Sequence, residues 1–220
     1  MASIRDITFV ISDLSDVSEI TPFVAWFAFG SRELPYKVLG IFFLISGSTK
    51  IYTLITAVMH IHNLPAYHVL AFLEIIFVYS FYRLLSTKKL DFVGISGLFV
   101  LYLANTGIQN INNTFNSNTW TLTVLLIMLI GLTHFYRIYR NEEDTTPLEK
   151  RPDFIMTTGW LIYASGSLFT YLMGTDILSG TADGFFKNAW IFECISNIIK
   201  NILICYGFWL TGKKCHRQYT

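Results

Sequence analysis

Apolar runs of roughly 20 residues, separated by short polar segments, recur along the whole chain. A helix needs about 20 mostly apolar residues to cross the hydrocarbon core of a bilayer. The connections carry the Gly, Pro, Asn and charged residues that end helices, and none is long enough to form a folded domain. The pattern predicts one all-α polytopic membrane bundle over residues 1–220, with seven transmembrane helices at about 13–30, 36–59, 66–85, 91–110, 118–138, 154–174 and 188–210.

The first predicted span is the least regular. Its clean apolar part, ITPFVAWFAFG, is short, and Asp13, Asp16 and Glu19 precede it. If this segment only lies on the membrane surface, six crossings remain and both chain ends are cytoplasmic.

Basic residues favour seven crossings over six. They concentrate in alternate connections, and basic residues stay on the cytoplasmic side of a membrane. One side would hold twelve, whereas Arg5 and Lys187 alone belong to the other. The prediction is an N-terminus outside and a cytoplasmic C-terminus. The twelve are Arg32, Lys37, Arg83, Lys88, Lys89, Arg137, Arg140, Lys150, Arg151, Lys213, Lys214 and Arg217.

Composition agrees with a membrane protein. Hydrophobic residues make up 53% of the chain and charged residues 14%, where a soluble domain carries about 25% charged residues; the mean hydropathy is +0.48. The net charge of +1 and the short, scattered basic loops give no basis for a nucleic-acid partner. No Walker, dinucleotide-binding, GxSxG or HExxH motif is present. The expected partners are the lipid bilayer, a small amphipathic ligand, and a membrane or cytoplasmic protein.

Four charged residues lie well inside predicted spans: Lys50, Glu74, Glu193 and Lys200. Intramembrane charges are costly, face the bundle interior, and are functional candidates by default. Two are acidic and two are basic, so the structural interpretation is that they pair with one another. The functional interpretation is a polar pocket that opens toward the outer side.

Helical spacing directs further polar residues toward the same interior. Glu193, Asn197, Lys200 and Asn201 form one stripe on the last span. Lipid cannot satisfy the hydrogen bonds of such stripes, so they should converge, although polar residues also join membrane helices with no further role. The predicted ligand-binding residues are Lys50, Glu74, Tyr163, Asn197, Lys200 and Asn201, with His68, Glu193 and Asn105 as secondary candidates.

No metal site and no cofactor is predicted. The segment HIHNLPAYH places His60, His62 and His68 near one end of two spans, but it contains no HxxxH and no carboxylate at ligand spacing. The small residues of GWLIYASGS, around Gly159, favour a close helix-packing seam.

Three segments, NLPAYHVLAFLEIIFVYSFYRLL, LIYASGSLFTYLM and WIFECISNIIKNILICYGFWL, resemble a group of uncharacterised seven-helix inner-membrane proteins of Bacteroidota. The resemblance implies a bacterial inner (plasma) membrane location and no particular activity. Lys200 is not part of it. The residues that carry the resemblance are Asn63, His68, Glu74, Tyr163, Asn197 and Asn201.

The overall plan is also similar to that of retinal-binding rhodopsins. These have seven helices, a lysine midway along the last helix that forms a Schiff base with retinal, and an acidic counter-ion on the third. Lys200 and Glu74 match those two positions. The third span, AYHVLAFLE, does not match a rhodopsin third helix, and the sixth lacks the expected proline.

Several functions are compatible with these patterns, and whether the protein is an enzyme is left open. The leading hypothesis is a receptor- or sensor-like protein that binds a small amphipathic or lipid-like ligand in the polar pocket. Alternatives are a membrane-embedded enzyme acting on a lipid or prenyl substrate, with Glu74 as acid or base beside His68; a proton-coupled small-molecule transporter; a rhodopsin-like protein; and a structural subunit of a membrane complex. Against a transporter, the sequence contains no inverted repeat and no broken pair of helices.

Overall fold

The computed structural model describes residues 4–87, 89–108, 115–140, 146–174, 177 and 189–217, and all regular structure among them is helical. An all-α bundle is therefore confirmed. A single 3-10 turn, Leu148–Lys150, precedes α7. The α-helices are α1 (Ile4–Ser18), α2 (Thr21–Phe29), α3 (Leu34–Val58), α4 (Leu64–Thr87), α5 (Phe92–Ile108), α6 (Ser117–Arg140), α7 (Pro152–Leu172) and α8 (Ala189–Arg217).

Within the described residues, four helices are long and apolar enough to cross a membrane. They are α3, α4, α6 and the Ala189–Lys213 part of α8. Within α5, a shorter apolar stretch covers Phe92–Asn105. These helices make a membrane protein the natural class for the chain, while the predicted total of seven crossings and the predicted orientation stay predictions.

The segment predicted as the first span, 13–30, is not one continuous helix. It contains the end of α1, a turn at Glu19 and Ile20, and the nine-residue α2. Pro22 explains the break, because proline has no N–H to donate to the carbonyl four residues earlier. That carbonyl, on Ser18, accepts a hydrogen bond from Thr21 Oγ1 at 2.7 Å instead.

The helices form a closed ring in which α5 has no part. The α1–α2 segment packs against α3 and α8, α3 against α4, α4 against α6, α6 against α7, and α7 most extensively against α8. By contrast, the main contacts of α5 are with α4 and, more slightly, with α6. Apolar side chains fill the ring, with Phe42, Phe43 and Trp160 fully buried. The predicted charges lie inside it.

Small residues let α7 and α8 approach closely, as the GWLIYASGS pattern predicts. A Cβ added at Gly159 would lie 3.2 Å from the Lys200 carbonyl oxygen. One added at Gly166 would collide with Ser196. Because α7 is so close to α8 at Gly159, the Lys200 side chain is enclosed on that side by α7 itself.

Candidate functional site

Six ionisable residues converge at the centre of the ring and are called the charge cluster below. They come from four different helices and from the break between α1 and α2. The cluster consists of Asp16, Glu19, Lys50, Glu74, Glu193 and Lys200. A small cavity is lined by all members of the cluster except Asp16, and also by Ser46, Leu70, Trp120, Tyr163, Tyr171 and Asn197.

Lys200 is held by the break in the first predicted span. Its side chain is 2% exposed, and its Nζ lies 3.2 and 3.3 Å from the two carboxylate oxygens of Glu19. Glu19 also accepts hydrogen bonds from Ser46 Oγ at 3.0 Å and from Asn201 Nδ2 at 3.1 Å. The ring of Tyr163 faces the ammonium group, with its centroid 4.4 Å from Nζ. This charge is therefore paired, hydrogen-bonded and stacked, which is what burial of an ion requires.

Lys50 is paired in the same way with the other acid of this segment. Its Nζ lies 2.9 Å from Asp16 Oδ1, and the ring of Tyr67 lies 5.3 Å away. The expectation that Lys50, Glu74, Glu193 and Lys200 pair among themselves is therefore wrong. Both lysines instead take partners from the segment around the α1–α2 break, whose acids lay outside the predicted set of four.

Two carboxyl groups of the charge cluster, those of Glu74 and Glu193, are not paired with either lysine. Glu74 is 4% exposed and Glu193 is 6% exposed, and among the described residues neither has an ion-pair partner within 4.0 Å. The Glu74 atom Oε1 is buried with no hydrogen-bond partner in the described part of the chain. The cluster thus contains four carboxyl groups and two ammonium groups, so an uncompensated pair of acids lies in an apolar bundle.

Two tyrosines line the same cavity as these two acids. The hydroxyls of Tyr163 and Tyr171 lie 3.0 Å apart, and Tyr171 donates to Glu193 Oε1 at 3.3 Å. At the other end, Tyr163 lines the same cavity as Glu74. The result is a hydrogen-bonded line that runs from Tyr163 through Tyr171 on α7 to Glu193 on α8, with Glu74 of α4 on the same cavity.

The cavity inside the cluster is small. Its volume is about 10 Å³, which is room for about one water molecule, whereas pockets for organic ligands usually measure about 300–1,000 Å³. An amphipathic ligand would need the helices to move apart, and the space beside Lys200 is far smaller than a retinal requires.

The other predicted residues divide into neighbours of the cluster and residues elsewhere. Asn197 lines the cavity and donates to Ser15 Oγ at 3.0 Å, while Asn201 binds Glu19. Fully buried in α4, His68 does not line this cavity. Asn105 is remote, donating to Asn116 Oδ1 at 2.9 Å and to Thr119 Oγ1 at 2.6 Å between α5 and α6. Of the acid–base pair in the lipid-enzyme hypothesis, Glu74 lines the cavity and His68 does not.

Sequence analysis missed Asp16, Glu19 and Tyr171 as site residues. The acids of SDLSDVSEI were interpreted only as residues that precede the short apolar part of the first predicted span. A usable signal was present, because Asp16 and Glu19 are three residues apart and therefore share a helix face. Pro22, three residues further on, marks the break that brings Glu19 to Lys200.

Comparisons with family models, with curated proteins and with solved structures give no match. The resemblance to the Bacteroidota group stays a prediction. What the fold and the site define is a class: a helical bundle with helices long and apolar enough to span a membrane, and with buried acidic and basic side chains around a small central cavity.

Proposed function

We propose that the protein is a seven-span membrane protein of a bacterial inner membrane, with its N-terminus outside and its C-terminus in the cytoplasm. A total of seven crossings, not six, requires the α1–α2 segment to cross. This segment runs parallel to α8 from the Ser15–Asn197 contact to the Ser31–Thr211 contact, which supports that crossing. The part of α8 between these two contacts makes up much of Ala189–Lys213, the stretch that is long and apolar enough to cross a membrane. The break at Pro22 is compatible with a crossing, since neighbouring helices can satisfy freed backbone groups.

Cysteine labelling tests this topology. Single cysteines at His62 and Lys89, in a variant whose native cysteines are replaced by serine, are treated on intact cells with a membrane-impermeant maleimide. We expect His62→Cys to react at once and Lys89→Cys to react only after permeabilisation. The reverse pattern, or reaction at both sites, would refute the orientation.

The function that the site supports best is proton-coupled transport of a small molecule. The observation that carries it is the surplus of Glu74 and Glu193, two buried acids that no described lysine or arginine neutralises within ion-pair distance. An isolated buried charge is so costly that such a group exchanges its charge for a proton. Intramembrane carboxyls of this kind mark proton paths in transporters.

The tyrosines and the broken helix supply the remaining parts. A proton passes between Glu74 and Glu193 through the hydroxyls of Tyr163 and Tyr171, each of which can donate and accept. Changing the charge of either acid alters the field at the neighbouring Lys50 and Lys200. Those lysines hold the segment around the break, so proton uptake is coupled to movement of α1–α2. Broken helices at a central site are a recurring feature of carriers.

Infrared difference spectroscopy tests proton uptake directly. Protein in lipid nanodiscs is compared between mildly acidic and mildly alkaline buffer, and the carboxylic-acid C=O band is followed. We expect part of this band to be missing in Glu74→Gln and another part in Glu193→Gln. The matched control is Glu33→Gln, an exposed acid outside the cluster, which should leave the band unchanged. An unaltered band in both cluster variants would refute proton binding at this site.

Transport is tested in proteoliposomes. An imposed pH gradient should drive accumulation of the transported compound, which a screen of small metabolites identifies. Accumulation should be abolished in Glu74→Gln and in Tyr171→Phe, because the first removes a proton site and the second interrupts the connection. Accumulation that is independent of the gradient would leave the protein a carrier without proton coupling.

A receptor for a small amphipathic ligand is the second candidate. It is favoured by one observation, that Lys50, Glu74, Tyr163, Asn197 and Lys200 line the same cavity. Ligand entry would then require the α1–α2 segment to separate from α8. A cross-link between cysteines introduced at Ser15 and Asn197 should abolish ligand binding under this hypothesis, and binding by the cross-linked protein would refute it.

A further inference from the structure

A second, larger cleft lies on the outside of the ring, where α5 rests on α4 and α6. No described side chain of α5 is buried, and its contact with α6 is slight. Between the three helices lies an apolar cavity of about 500 Å³. It is called the α5 cleft below and is lined by Ile75, Tyr79, Gly94, Gly97, Leu98, Leu101, Leu126 and Ile130.

The α5 cleft continues at both ends. It shares Ile75 and Leu126 with a cavity of about 110 Å³ near Asn105. At the other end it shares Tyr79 and Ile130 with a cavity of about 240 Å³. Together these spaces form a groove that runs along α5 on the lipid-facing side of the bundle.

One end of this groove is basic. The cavity of about 240 Å³ is lined by Arg83 of α4 and Arg137 of α6, with the hydroxyls of Ser86 and Thr133 beside them. Arg137 donates to the neutral Ser86 hydroxyl. Nε of Arg83 lies 3.8 Å from Asp91 Oδ2, and its side chain is 43% exposed. The two guanidinium groups therefore keep donors available for an anion.

The chemistry of the groove matches one class of ligand. An apolar channel that opens toward hydrocarbon is filled by a hydrocarbon chain, because water gains no hydrogen bonds there. Arginine binds phosphate through paired hydrogen bonds, and basic pockets between membrane helices bind anionic head groups. We propose that the α5 cleft binds an anionic phospholipid, with an acyl chain along Gly97 and the phosphate between Arg83 and Arg137. This site is separate from the charge cluster.

Lipid titration of the purified, delipidated protein tests the proposal. Native mass spectrometry counts bound lipids while phosphatidylglycerol or phosphatidylcholine is added. We expect a preference for phosphatidylglycerol, and Arg137→Gln should weaken its binding about tenfold or more, the loss expected for a charge-assisted contact. The matched control is Arg140→Gln, which removes an equal charge from the same helix end but from a residue that, unlike Arg137, does not line the cavity of about 240 Å³. Equal weakening by both variants would overturn the site in favour of general surface attraction.

A second variant addresses the acyl chain and does not touch the arginines. Gly97 lines the cleft, and a Cβ there meets nothing within 4 Å, so Gly97→Leu adds apolar volume at the lining without a clash at its Cβ. It should also weaken phosphatidylglycerol binding, while thermal unfolding without lipid stays unchanged. Glycerol phosphate, which carries the head-group charge but no chain, should not compete. Full competition by glycerol phosphate, or unchanged lipid binding by Gly97→Leu, would overturn the phospholipid assignment.

Discussion

Replacing Lys200 with methionine would leave Glu19 as an unpaired charge at the centre of the bundle. The methionine fills similar space, so the principal loss is electrostatic. Lys200 and Glu19 are 2% and 4% exposed, and solvent therefore does little to screen either group. Removing one partner of such a buried pair costs about 3–5 kcal/mol, and we expect Lys200→Met to lower the free energy of unfolding by that amount.

The double variant gives the decisive comparison. Glu19→Gln alone leaves the ammonium group with no anion in contact, which also costs about 3–5 kcal/mol. Combining it with Lys200→Met removes both charges, while the amide oxygen introduced by Glu19→Gln can keep accepting hydrogen bonds from Ser46 and Asn201. We expect the double variant to be more stable than either single variant, with a coupling energy of about 2 kcal/mol or more between the two positions.

Reversible unfolding in mixed micelles, followed by circular dichroism, measures these free energies. Acidification should lessen the defect of Lys200→Met, because a proton on Glu19 removes the unpaired charge. If both single variants lose less than about 1 kcal/mol, or if their effects add without coupling, the pair is not buried as described. The assignment of Glu19 as the partner of Lys200 would then be wrong.

Two further predictions concern packing around α2. Gly40→Ala should lower stability by about 1–3 kcal/mol, because a Cβ there would collide with the ring of Trp26; Gly97→Ala, where a Cβ meets nothing within 4 Å, should cause no loss in the same unfolding assay. Thr211→Val should cost about 1–3 kcal/mol by leaving the Ser31 amide without the acceptor that it contacts at 2.9 Å. Faster amide exchange at Ser31 would accompany that loss, and unchanged exchange would contradict the hydrogen bond.

The polar stripe on α8 shows that helical periodicity can predict which side chains face the interior of the bundle. The spacing of Glu193, Asn197, Lys200 and Asn201 places them on one face, and the cost of polar groups in lipid turns that face inward. The sequence therefore predicted that these four residues face one interior site. Asn105 satisfied the same criteria but lies between α5 and α6, because any neighbouring helix with polar groups satisfies an amide equally well.

Pairing partners did not follow from sequence. The apparent balance of two acids and two bases favoured mutual pairing, yet Lys50 and Lys200 take Asp16 and Glu19. Two features decided this outcome: the break at Pro22 and the parallel course of α1–α2 along α8. Neither feature is visible in a pattern of apolar runs, which reports how long a segment is and which face is polar.

The sequence by itself determined an all-α membrane bundle and the inward direction of its polar faces, because hydrocarbon imposes those requirements on each helix separately. Only the tertiary structure decided which charges meet, that Glu74 and Glu193 remain without a basic partner within ion-pair distance among the described residues, and that the space between them holds about one water molecule. The physical reason is that ion pairing acts over a few ångströms between different helices, and such distances are fixed by how the helices pack.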